Sequence, residues 1–392
     1  MNCSTHIKNL IEEYLPEFIT LRHQLHQIPE LKFEEFKTSA LVTTTLQSYG
    51  CEVTTGIAKT GVIAVIDSGK PGKTVALRAD MDALALKENT NLPYQSQHPG
   101  KMHACGHDGH TATLLLVAKV LQKAKNQFCG KIKLIFQPAE EGGKGSLAMI
   151  NDGVLENPKV NAIFGYHNWP TLALGKVGTR IGTILVATGR FEILVQGRVA
   201  HTSMPENAIN PVIVGATIVT ALEDLRKKYS PKGTIINIIR FDSGEIKGGM
   251  TDTVKLTGIY YVENDKVLSQ IQSEIEETCE KIVAHFKARF SIDYFKFHTP
   301  TINTENEAKL VLATASEFLA QEDIIEFATP QIAAEDFSEY LYKVPGCFFL
   351  VGAGENSPPV HTSEFDFPDD IIPIAAKVMC QTAINFLNNT EN

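Results

Sequence analysis

Nine residues in the first third of the chain, Met102–His110, contain three histidines, one cysteine and one aspartate. Cysteine thiolates and neutral histidines are the side chains that bind borderline-soft divalent metals, Zn²⁺ above all. The two glycines of this stretch allow a loop to fold closely around an ion. The alternative interpretation is a polar loop that caps a helix, with Asp108 as the N-cap residue. Capping alone does not require three histidines and a cysteine, so the composition predicts a metal site.

Further ligands should come from other parts of the fold. Cys105 and His107 are two residues apart in a glycine-containing loop, so both can point at one ion. A dinuclear site also needs a bridging anion, terminal ligands for each metal and a base beside the bridging water. In an α/β sheet such side chains collect beyond the carboxyl ends of the strands. The side chains that follow predicted strands and could complete the site are Glu140, Glu141, His167 and His361.

The adjacent carboxylates Glu140 and Glu141 follow a predicted strand at 131–137. One could bind a metal while the other takes a proton from a metal-bound water, whose pKa is lowered to about 7. The alternative is a solvated helix cap in front of Gly142 and Gly143. We favour the functional interpretation because the pair accompanies a Cys/His cluster.

The other candidate residues also have two interpretations. A lone His167 or His361 is more often structural, and His167 lies two residues before Trp169, the only tryptophan. Asp80 and Asp82 alternate at the end of a predicted strand. One of them could orient a ligating histidine from behind, or the two could form a strand-end turn.

The bulk composition excludes several classes of protein. The chain has 392 residues, 43% hydrophobic residues and a net charge of −9, which argues against nucleic acid or an anionic membrane as a partner. Its seven cysteines are scattered and form no CxxC motif, as expected for buried thiols in a reducing compartment. The acidic N-terminus does not resemble a signal peptide, and no apolar run reaches transmembrane length. We expect a cytoplasmic protein.

The predicted elements that position these residues alternate between strand and helix in the first half of the chain. They include strands at 61–67, 74–80, 131–137 and 162–166 and helices at 5–28, 34–49 and 109–124. That alternation is typical of an α/β sheet. Residues 184–297 change to a β-α-β-β-α-β order, the ferredoxin-like arrangement, and α/β signals resume after Pro300. We therefore predict one domain from 1–183 and 298–392, with a second domain of 184–297 inserted into it. The inserted domain contains His201 in a polar loop, which matters only if the domain folds over a site in its own subunit or a partner.

Long motifs spread over nearly the whole chain resemble one family. They are LRHQLHQIPELKFEE, ALRADMDAL, MHACGHDGHTA, FQPAEEGGKGS, AHTSMPEN, AAEDFSEYL, PGCFFLVGAG and a closing His361-Thr362-Ser363. In this order they resemble the M20 metallopeptidase and amidohydrolase family, in its branch of N-acyl-L-amino-acid amidohydrolases, which includes hippurate hydrolases and auxin-conjugate hydrolases. The resemblance implies a mixed α/β sheet flanked by helices and an inserted ferredoxin-like lid that forms a homodimer or a dimer of dimers.

The resemblance also implies two divalent metal ions per subunit (Mn, Zn, Co or Ni) and a role for each matched residue. The implied metal ligands are Cys105, which bridges the ions, and His107, Glu141, His167 and His361. By the same resemblance Glu140 is the general base and acid. His201 would reach across the dimer to stabilise the oxyanion, and Asp82 would lie behind the ligands. Cys105 is then a ligand and not a nucleophile. His103 and His110 become packing or supporting residues, and Asp108 a helix cap.

The lid departs from the family's pattern in one place. The family usually has an Asn-Val-Ile-Pro turn whose Asn contacts the substrate carboxylate, and Gly248 falls at that position here. The arginine that often follows in the next strand is replaced by Tyr261. We hypothesise that Lys247 or Arg240 compensates.

Three functions remain open from the sequence. The leading one is hydrolysis of N-acyl-L-amino acids, with acetyl, benzoyl or similar acyl groups, to a carboxylate and a free amino acid. The alternative within the same chemistry is an N-acetyldiaminopimelate deacetylase or a dipeptidase. The alternative from another class is a catalytically inactive binding protein on this scaffold. A structural metal site is disfavoured because its ligands usually lie close together in sequence, whereas these extend from Cys105 to His361.

Overall fold

The computed structural model of the chain describes residues 3–201, 203–246 and 250–389. Lys247 and Gly248, which were singled out above, lie outside the described residues. The chain divides into two compact units. Unit 1 comprises residues 1–184, 302–328 and 336–392, and unit 2 comprises residues 185–301 and 329–335.

The helices and strands are numbered in chain order. The helices are α1 Cys3–Gln27, α2 Phe36–Ser48, α3 His107–Lys123, α4 Glu140–Gly143, α5 Gly145–Asn151, α6 Pro211–Tyr229, α7 Asp265–Phe286, α8 Glu305–Ala315, α9 Ser338–Leu341 and α10 Ile371–Asn388. The strands are β1 Glu52–Ile57, β2 Gly61–Asp67, β3 Thr74–Asp80, β4 Lys131–Gln137, β5 Ala162–Trp169, β6 Val177–Thr179, β7 Gly182–Leu185, β8 Ala187–Gln196, β9 Ile235–Asp242, β10 Thr253–Val262, β11 Arg289–His298, β12 Thr301–Asn303, β13 Ile324–Glu326 and β14 Gly346–Gly352.

Unit 1 is built on a mixed sheet in the order β1-β2-β4-β3-β5-β14-β6-β13. Every residue of β3 and β14 is buried, because these strands lie inside the sheet with helices packed against them. Helices α1, α3 and α10 pack against one another, and α3 and α10 both pack on β3. This arrangement confirms the predicted α/β class with a large mixed sheet flanked by helices.

The direction of the central strands explains why polar residues gather at one edge. β3 is parallel to β4 and to β5, and β14 is parallel to β5. The carboxyl ends of these four strands therefore lie at the same edge of the sheet. The residues that follow them include Asp82, Glu140, Glu141 and His361.

Two local predictions were wrong. We predicted that the strand before His167 ends at Tyr166, but β5 continues to Trp169 because its last residues pair with the end of β14, His167 with Leu350. His167 therefore lies within the strand. We also predicted that Asp108 caps a helix, but the N-cap of α3 is Gly106, with a φ of 95°. Asp108 is inside the helix, and its side chain forms buried ion pairs.

Unit 2 contains the elements β8-α6-β9-β10-α7-β11, and its antiparallel sheet has the strand order β11-β8-β10-β9. Its own hydrophobic core includes Phe191, Ile218, Leu256 and Ile275. Asn210 and Asn264 cap α6 and α7 by accepting backbone N–H groups in the first turn. Residues 329–335 also belong to this unit, although the sequence placed them in the other domain; a β-bridge joins Leu185 to Gln331.

Helix α10 is long and apolar enough to cross a membrane by length and composition alone. Within the protein, however, 67% of that helix is buried. It packs against α1, α3 and the sheet, as the central helix of a folded core does.

Candidate metal centre

The loop between Ala104 and α3 can take its shape only with a glycine at position 106. Gly106 has a positive φ, and a Cβ atom at this residue would lie 2.2 Å from Asn168 Oδ1. The tight turn brings the buried side chains of Cys105 and His107 into one group with the partly buried side chain of His167. The Cys105 Sγ atom lies 3.3 Å from His167 Nε2.

The structure brings all five predicted ligands and the predicted base together in unit 1. Their candidate ligand atoms form overlapping groups, each within 4.8 Å: Cys105 with His107 and His167, Cys105 with Glu141 and His361, and His107 with Glu140 and Glu141. His361 Nε2 lies 3.0 Å from Glu141 Oε1. The backbone also joins two of the segments, because His361 N donates to Ala104 O at 2.7 Å.

Asp82 supports this group from behind. Its carboxylate accepts the backbone N–H of Glu140 at 3.0 Å and that of Glu141 at 2.9 Å. His107 Nδ1 lies 2.9 Å from the carbonyl oxygen of Asp82 and 3.3 Å from its Oδ1 atom. These contacts direct His107 Nε2 toward the group, where it is buried and has no hydrogen-bond partner among the described residues. A buried imidazole nitrogen left in this way, facing a thiol and carboxylates, fits a metal ligand.

The other histidines of the opening motif have different surroundings. His110 has both ring nitrogens engaged, Nδ1 with Asp80 Oδ1 at 2.6 Å and Nε2 with Asn168 Oδ1 at 2.7 Å. Asp80 Oδ2 also accepts a hydrogen bond from Arg78 Nη1 at 2.7 Å. His103 is buried. His110 is therefore a supporting residue that fixes Asp80 and the end of β5.

The charges of the site favour a cation. Burial lowers the pKa of His107, but the carboxylates of Asp80 and Asp82 outweigh burial and raise this pKa to about 10. Burial and the neighbouring His110 lower the pKa of His167 to about 3, so this ring is neutral. Burial, reinforced by Glu141, raises the pKa of the Cys105 thiol. A divalent ion, when bound, neutralises the carboxylates and favours the thiolate form of a ligating cysteine.

A buried arginine that the sequence did not single out links two segments of the site. Arg22 of α1 contacts Asp366 Oδ1 at 2.8 Å and Asp369 Oδ1 at 2.9 Å, and its Nη1 atom lies 3.5 Å from Asp108 Oδ2. His26 contacts the same Asp108 oxygen at 2.8 Å. Arg22 thus connects the start of α3, next to His107, with the loop that follows His361. Arg22 is the second residue of the LRHQLHQIPELKFEE motif. The presence of this motif could have indicated a role for Arg22, but the sequence alone suggested none.

Unit 2 contains His201, the residue predicted to stabilise the oxyanion, and the positions considered for recognition of the substrate carboxylate. His201 is exposed, and its Nδ1 atom lies 2.7 Å from Ser203 Oγ. Tyr261 lies on β10, opposite Thr188 of β8 and Ile235 of β9. Arg240 is exposed on β9 and pairs with Asp242 at 2.8 Å.

Comparison with known proteins identifies the family. Residues 76–385 match the model of peptidase family M20/M25/M40, so the chain belongs to this family. The predicted family is thereby confirmed, and with it a metal-dependent hydrolase that acts on amide bonds.

Individual relatives agree with this assignment. The chain is 34% identical to an N-acetyl-L-cysteine deacetylase of Bacillus subtilis, over 96% of this chain and 89% of the relative. It is also 34% identical to a hippurate hydrolase of Campylobacter jejuni, over 97% of this chain and 100% of the relative. A solved structure from Bacillus subtilis, described as a dinuclear metal binding peptidase from the M20 family, superposes with a TM-score of 0.84 at 28% identity, covering 96% and 99% of the two chains.

Proposed function

We propose that this protein hydrolyses N-acyl-L-amino acids to a carboxylate and a free amino acid. The observation that carries the proposal is the position of Glu140, a buried carboxylate whose side chain lies with His107 and Glu141 in one group of candidate ligands. A base held beside a metal centre suits hydrolysis by water and requires no acyl-enzyme. The substrate class is supported by the relatives that act on acetylated and benzoylated amino acids.

The site is proposed to hold two divalent ions, of Mn, Zn, Co or Ni. The residues that would hold them are Cys105, His107, Glu141, His167 and His361, and Cys105 belongs to both groups that contain the remaining histidines His167 and His361. The mixture of thiolate, imidazole and carboxylate ligands suits these borderline metals better than Mg²⁺ or Ca²⁺. When bound, the ions polarise the amide carbonyl and make a water acidic.

Each remaining residue then has a task. Glu140 takes a proton from the attacking water and passes it to the nitrogen of the leaving amine. Asp82 holds the backbone of Glu140 and Glu141 and the ring of His107, so that none of them has to reorganise during the reaction. His201 stabilises the negative charge that develops on the carbonyl oxygen.

We propose that His201 acts in the active site of a second copy of the chain. In unit 2, β9 is an edge strand and exposes Ile239 (55%) and Phe241 (41%), and α6 exposes Ile213 (54%). An edge strand with exposed apolar side chains can pair with another strand, which supports a homodimer, or a dimer of dimers, formed through this unit.

Arg240 and Lys247 are the two candidates for binding the substrate carboxylate. Arg240 carries a positive charge on the surface of unit 2, but Asp242 already pairs with it. Lys247 therefore remains the second candidate. If either residue binds the carboxylate, its replacement by alanine raises KM for N-acyl amino acids and leaves metal content unchanged.

A substrate panel tests the function. The enzyme would be loaded in turn with Mn²⁺, Zn²⁺, Co²⁺ and Ni²⁺, and release of free amine measured from N-acetyl and N-benzoyl amino acids, dipeptides and N-acetyldiaminopimelate. We expect turnover of N-acyl amino acids that chelator abolishes. Glu140→Ala should remove turnover and keep the metal content. Preference for a dipeptide or for N-acetyldiaminopimelate would favour the alternative substrates, and a metal-loaded protein without activity would favour a binding protein.

We also propose the cellular compartment and the binding partners of the enzyme, from its cysteines and its net charge. All seven cysteines are free thiols, which supports a reducing compartment such as the cytoplasm. The net charge of −9 supports a small-molecule substrate and neither nucleic acid nor a membrane as partner.

A further inference from the structure

Glu35 is a buried carboxylate outside the candidate metal ligands. It lies between α1 and α2 in unit 1 and is fully buried. Its Oε1 atom accepts two backbone N–H groups, from Phe33 and from Ala139, both at 2.9 Å. Its Oε2 atom accepts the hydroxyl of Thr60. One of these donors, Ala139, is the residue immediately before Glu140.

The turn that carries Glu140 has an unfavourable backbone conformation. Ala139 has φ 57° and ψ 41°, in the left-handed region, which is unfavourable for a residue with a Cβ atom. The turn closes tightly, since Gly145 N donates to Ala139 O at 3.1 Å and a Cβ atom on Gly145 would lie 1.6 Å from Pro138 O. Such a turn persists only where its surroundings hold it in place.

Two carboxylates hold this turn by its backbone N–H groups. Glu35 accepts from Ala139, and Asp82 accepts from Glu140 and Glu141. Three consecutive N–H groups are thus bound from two sides. Asp82 also contacts His107 and so adjoins the candidate ligands, whereas the hydrogen bond that joins Glu35 to the site among the described residues comes from the backbone of Ala139.

We propose that Glu35 is a positioning residue for Glu140: by binding the N–H of Ala139 it fixes the backbone from which the general base projects. This inference rests on the proposed role of Glu140. A displacement of about 1 Å in a reacting group can cost about a hundredfold in rate, so the loss of this contact lowers kcat. Metal binding and KM depend on other contacts and change little.

For this role, residue 35 needs a hydrogen-bond acceptor at the correct distance from the N–H of Ala139 more than it needs a negative charge. Burial raises the pKa of Glu35 to about 7, a rise that the hydrogen bond from Thr60 opposes and the charge of Asp82 reinforces. A glutamine at this position keeps an oxygen for the two N–H groups, and its amide can donate to the hydroxyl oxygen of Thr60. An aspartate keeps the charge but is one methylene too short to reach Ala139.

Glu30 provides a matched control in the same loop. It is also buried, and its Oε2 atom accepts the N–H groups of Lys37 at 2.8 Å and Thr38 at 2.9 Å, at the start of α2. Shortening Glu30 removes comparable hydrogen bonds from a buried carboxylate but does not touch the turn of Ala139. It therefore separates a loss of stability from a loss of positioning.

The experiment compares Glu35→Gln, Glu35→Asp and Glu30→Asp in the metal-loaded full-length enzyme. We expect Glu35→Asp to lose about tenfold or more in kcat, with KM within about twofold and metal content unchanged. Glu35→Gln and Glu30→Asp should stay within about threefold of the wild-type kcat. Urea unfolding of all three variants checks that any losses of stability are similar.

Three results would overturn the proposal. They are a wild-type kcat in Glu35→Asp, a loss in Glu35→Gln as large as that in Glu35→Asp, and an equal loss of kcat in Glu30→Asp. An inactive wild-type enzyme would instead overturn the proposed function. An active wild type with an equally active Glu35→Asp variant overturns only the role of Glu35.

Discussion

Asp82 contacts three residues of the candidate site, His107, Glu140 and Glu141. Its two carboxylate oxygens bind the N–H groups of Glu140 and Glu141, and its own backbone and side chain contact His107. One side chain therefore fixes a candidate ligand and the proposed base, which are far apart in sequence. Removing it should loosen both at once.

We predict that Asp82→Ala weakens metal binding by about 10- to 100-fold, because His107 loses the group that orients it. Competition with a chromogenic chelator would measure the affinity. Asp152→Ala is a suitable control, since Asp152 also accepts a backbone N–H, from Ala58 at 2.7 Å, but contacts none of the candidate ligands. Equal metal affinities for the wild type and Asp82→Ala would contradict the role given to Asp82.

The buried His26 predicts a dependence of stability on pH. Burial lowers the pKa of His26, but Asp108 and Glu88 outweigh burial and raise it to about 9. Because the folded-state pKa lies above the ordinary value, the stabilising effect is complete below about pH 6.5 and is lost as pH rises through about 9. We expect the difference in unfolding free energy between the wild type and His26→Gln to shrink by about 1–3 kcal/mol between about pH 6 and about pH 9.5. Urea titrations at both pH values measure this difference, and a constant difference would show that His26 does not titrate in this range.

At the level of residues, the sequence indicated the candidate ligands but not the residues that support them. Cys105, His107 and the Glu140–Glu141 pair stand out because their types and spacing suit metal ligation and proton transfer. Arg22 and Glu35 did not stand out, because a charged residue in a helix or loop usually faces water. Only the fold reveals that both are buried.

Among the elements, β4 and the segment after α5 are joined by an unusual contact. Lys133 of β4 is fully buried, and its Nζ atom donates to the carbonyl oxygens of Val154 at 2.8 Å, Glu156 at 2.6 Å and Pro158 at 2.9 Å. An ammonium group has three donors, and here each one meets an acceptor. These three hydrogen bonds thus satisfy backbone carbonyl groups of a segment that forms turns and no helix or strand.

Lys133→Met should destabilise the protein by about 2–4 kcal/mol, because three carbonyl groups lose their donor in a buried place. The matched control is Lys131→Met in the same strand, where the side chain is 43% exposed and pairs with Asp67 on the surface. That change should cost at most about 1 kcal/mol. The urea midpoints of the two variants measure the difference, and similar midpoints would mean that the buried contact contributes little.

The sequence predicted some elements closely and missed others for a physical reason. The bounds of β2, β3 and β4 match the prediction, because each is a run of strand-forming residues between clear turns. β6 and β13 are only three residues long, too short for any periodicity. Pairing between distant strands, such as that which extends β5 past His167, leaves no local pattern in the sequence.

At the scale of the whole molecule, the proposed role of His201 in the active site of a second subunit predicts how much activity returns when two inactive variants are mixed. Glu140→Ala and His201→Ala subunits are each expected to be inactive alone. After mixing and exchange of subunits, half of the dimers would be mixed, and each would contain one complete site. We expect recovery of about a quarter of the wild-type activity if dimers form at random.

A control for this experiment uses the edge of unit 2. Ile239→Arg in both subunits should prevent dimerisation through β9 and thereby abolish the recovery. Size-exclusion chromatography with light scattering would follow the change in mass. Full activity of a monomeric His201-containing protein would contradict action across a dimer.

The position of β14 has a consequence for how the protein is made. It is the last strand that the structure describes, yet it lies between β5 and β6 in the interior of the large sheet. A nascent chain that has emerged only as far as Val344 therefore exposes two unpaired strand edges and lacks the histidine that follows β14. Strand edges of this kind favour aggregation. The sheet of unit 1 and the set of candidate ligands both stay incomplete until β14 and His361 have been synthesised. We therefore expect a chain that terminates before β14 to aggregate and to lack activity.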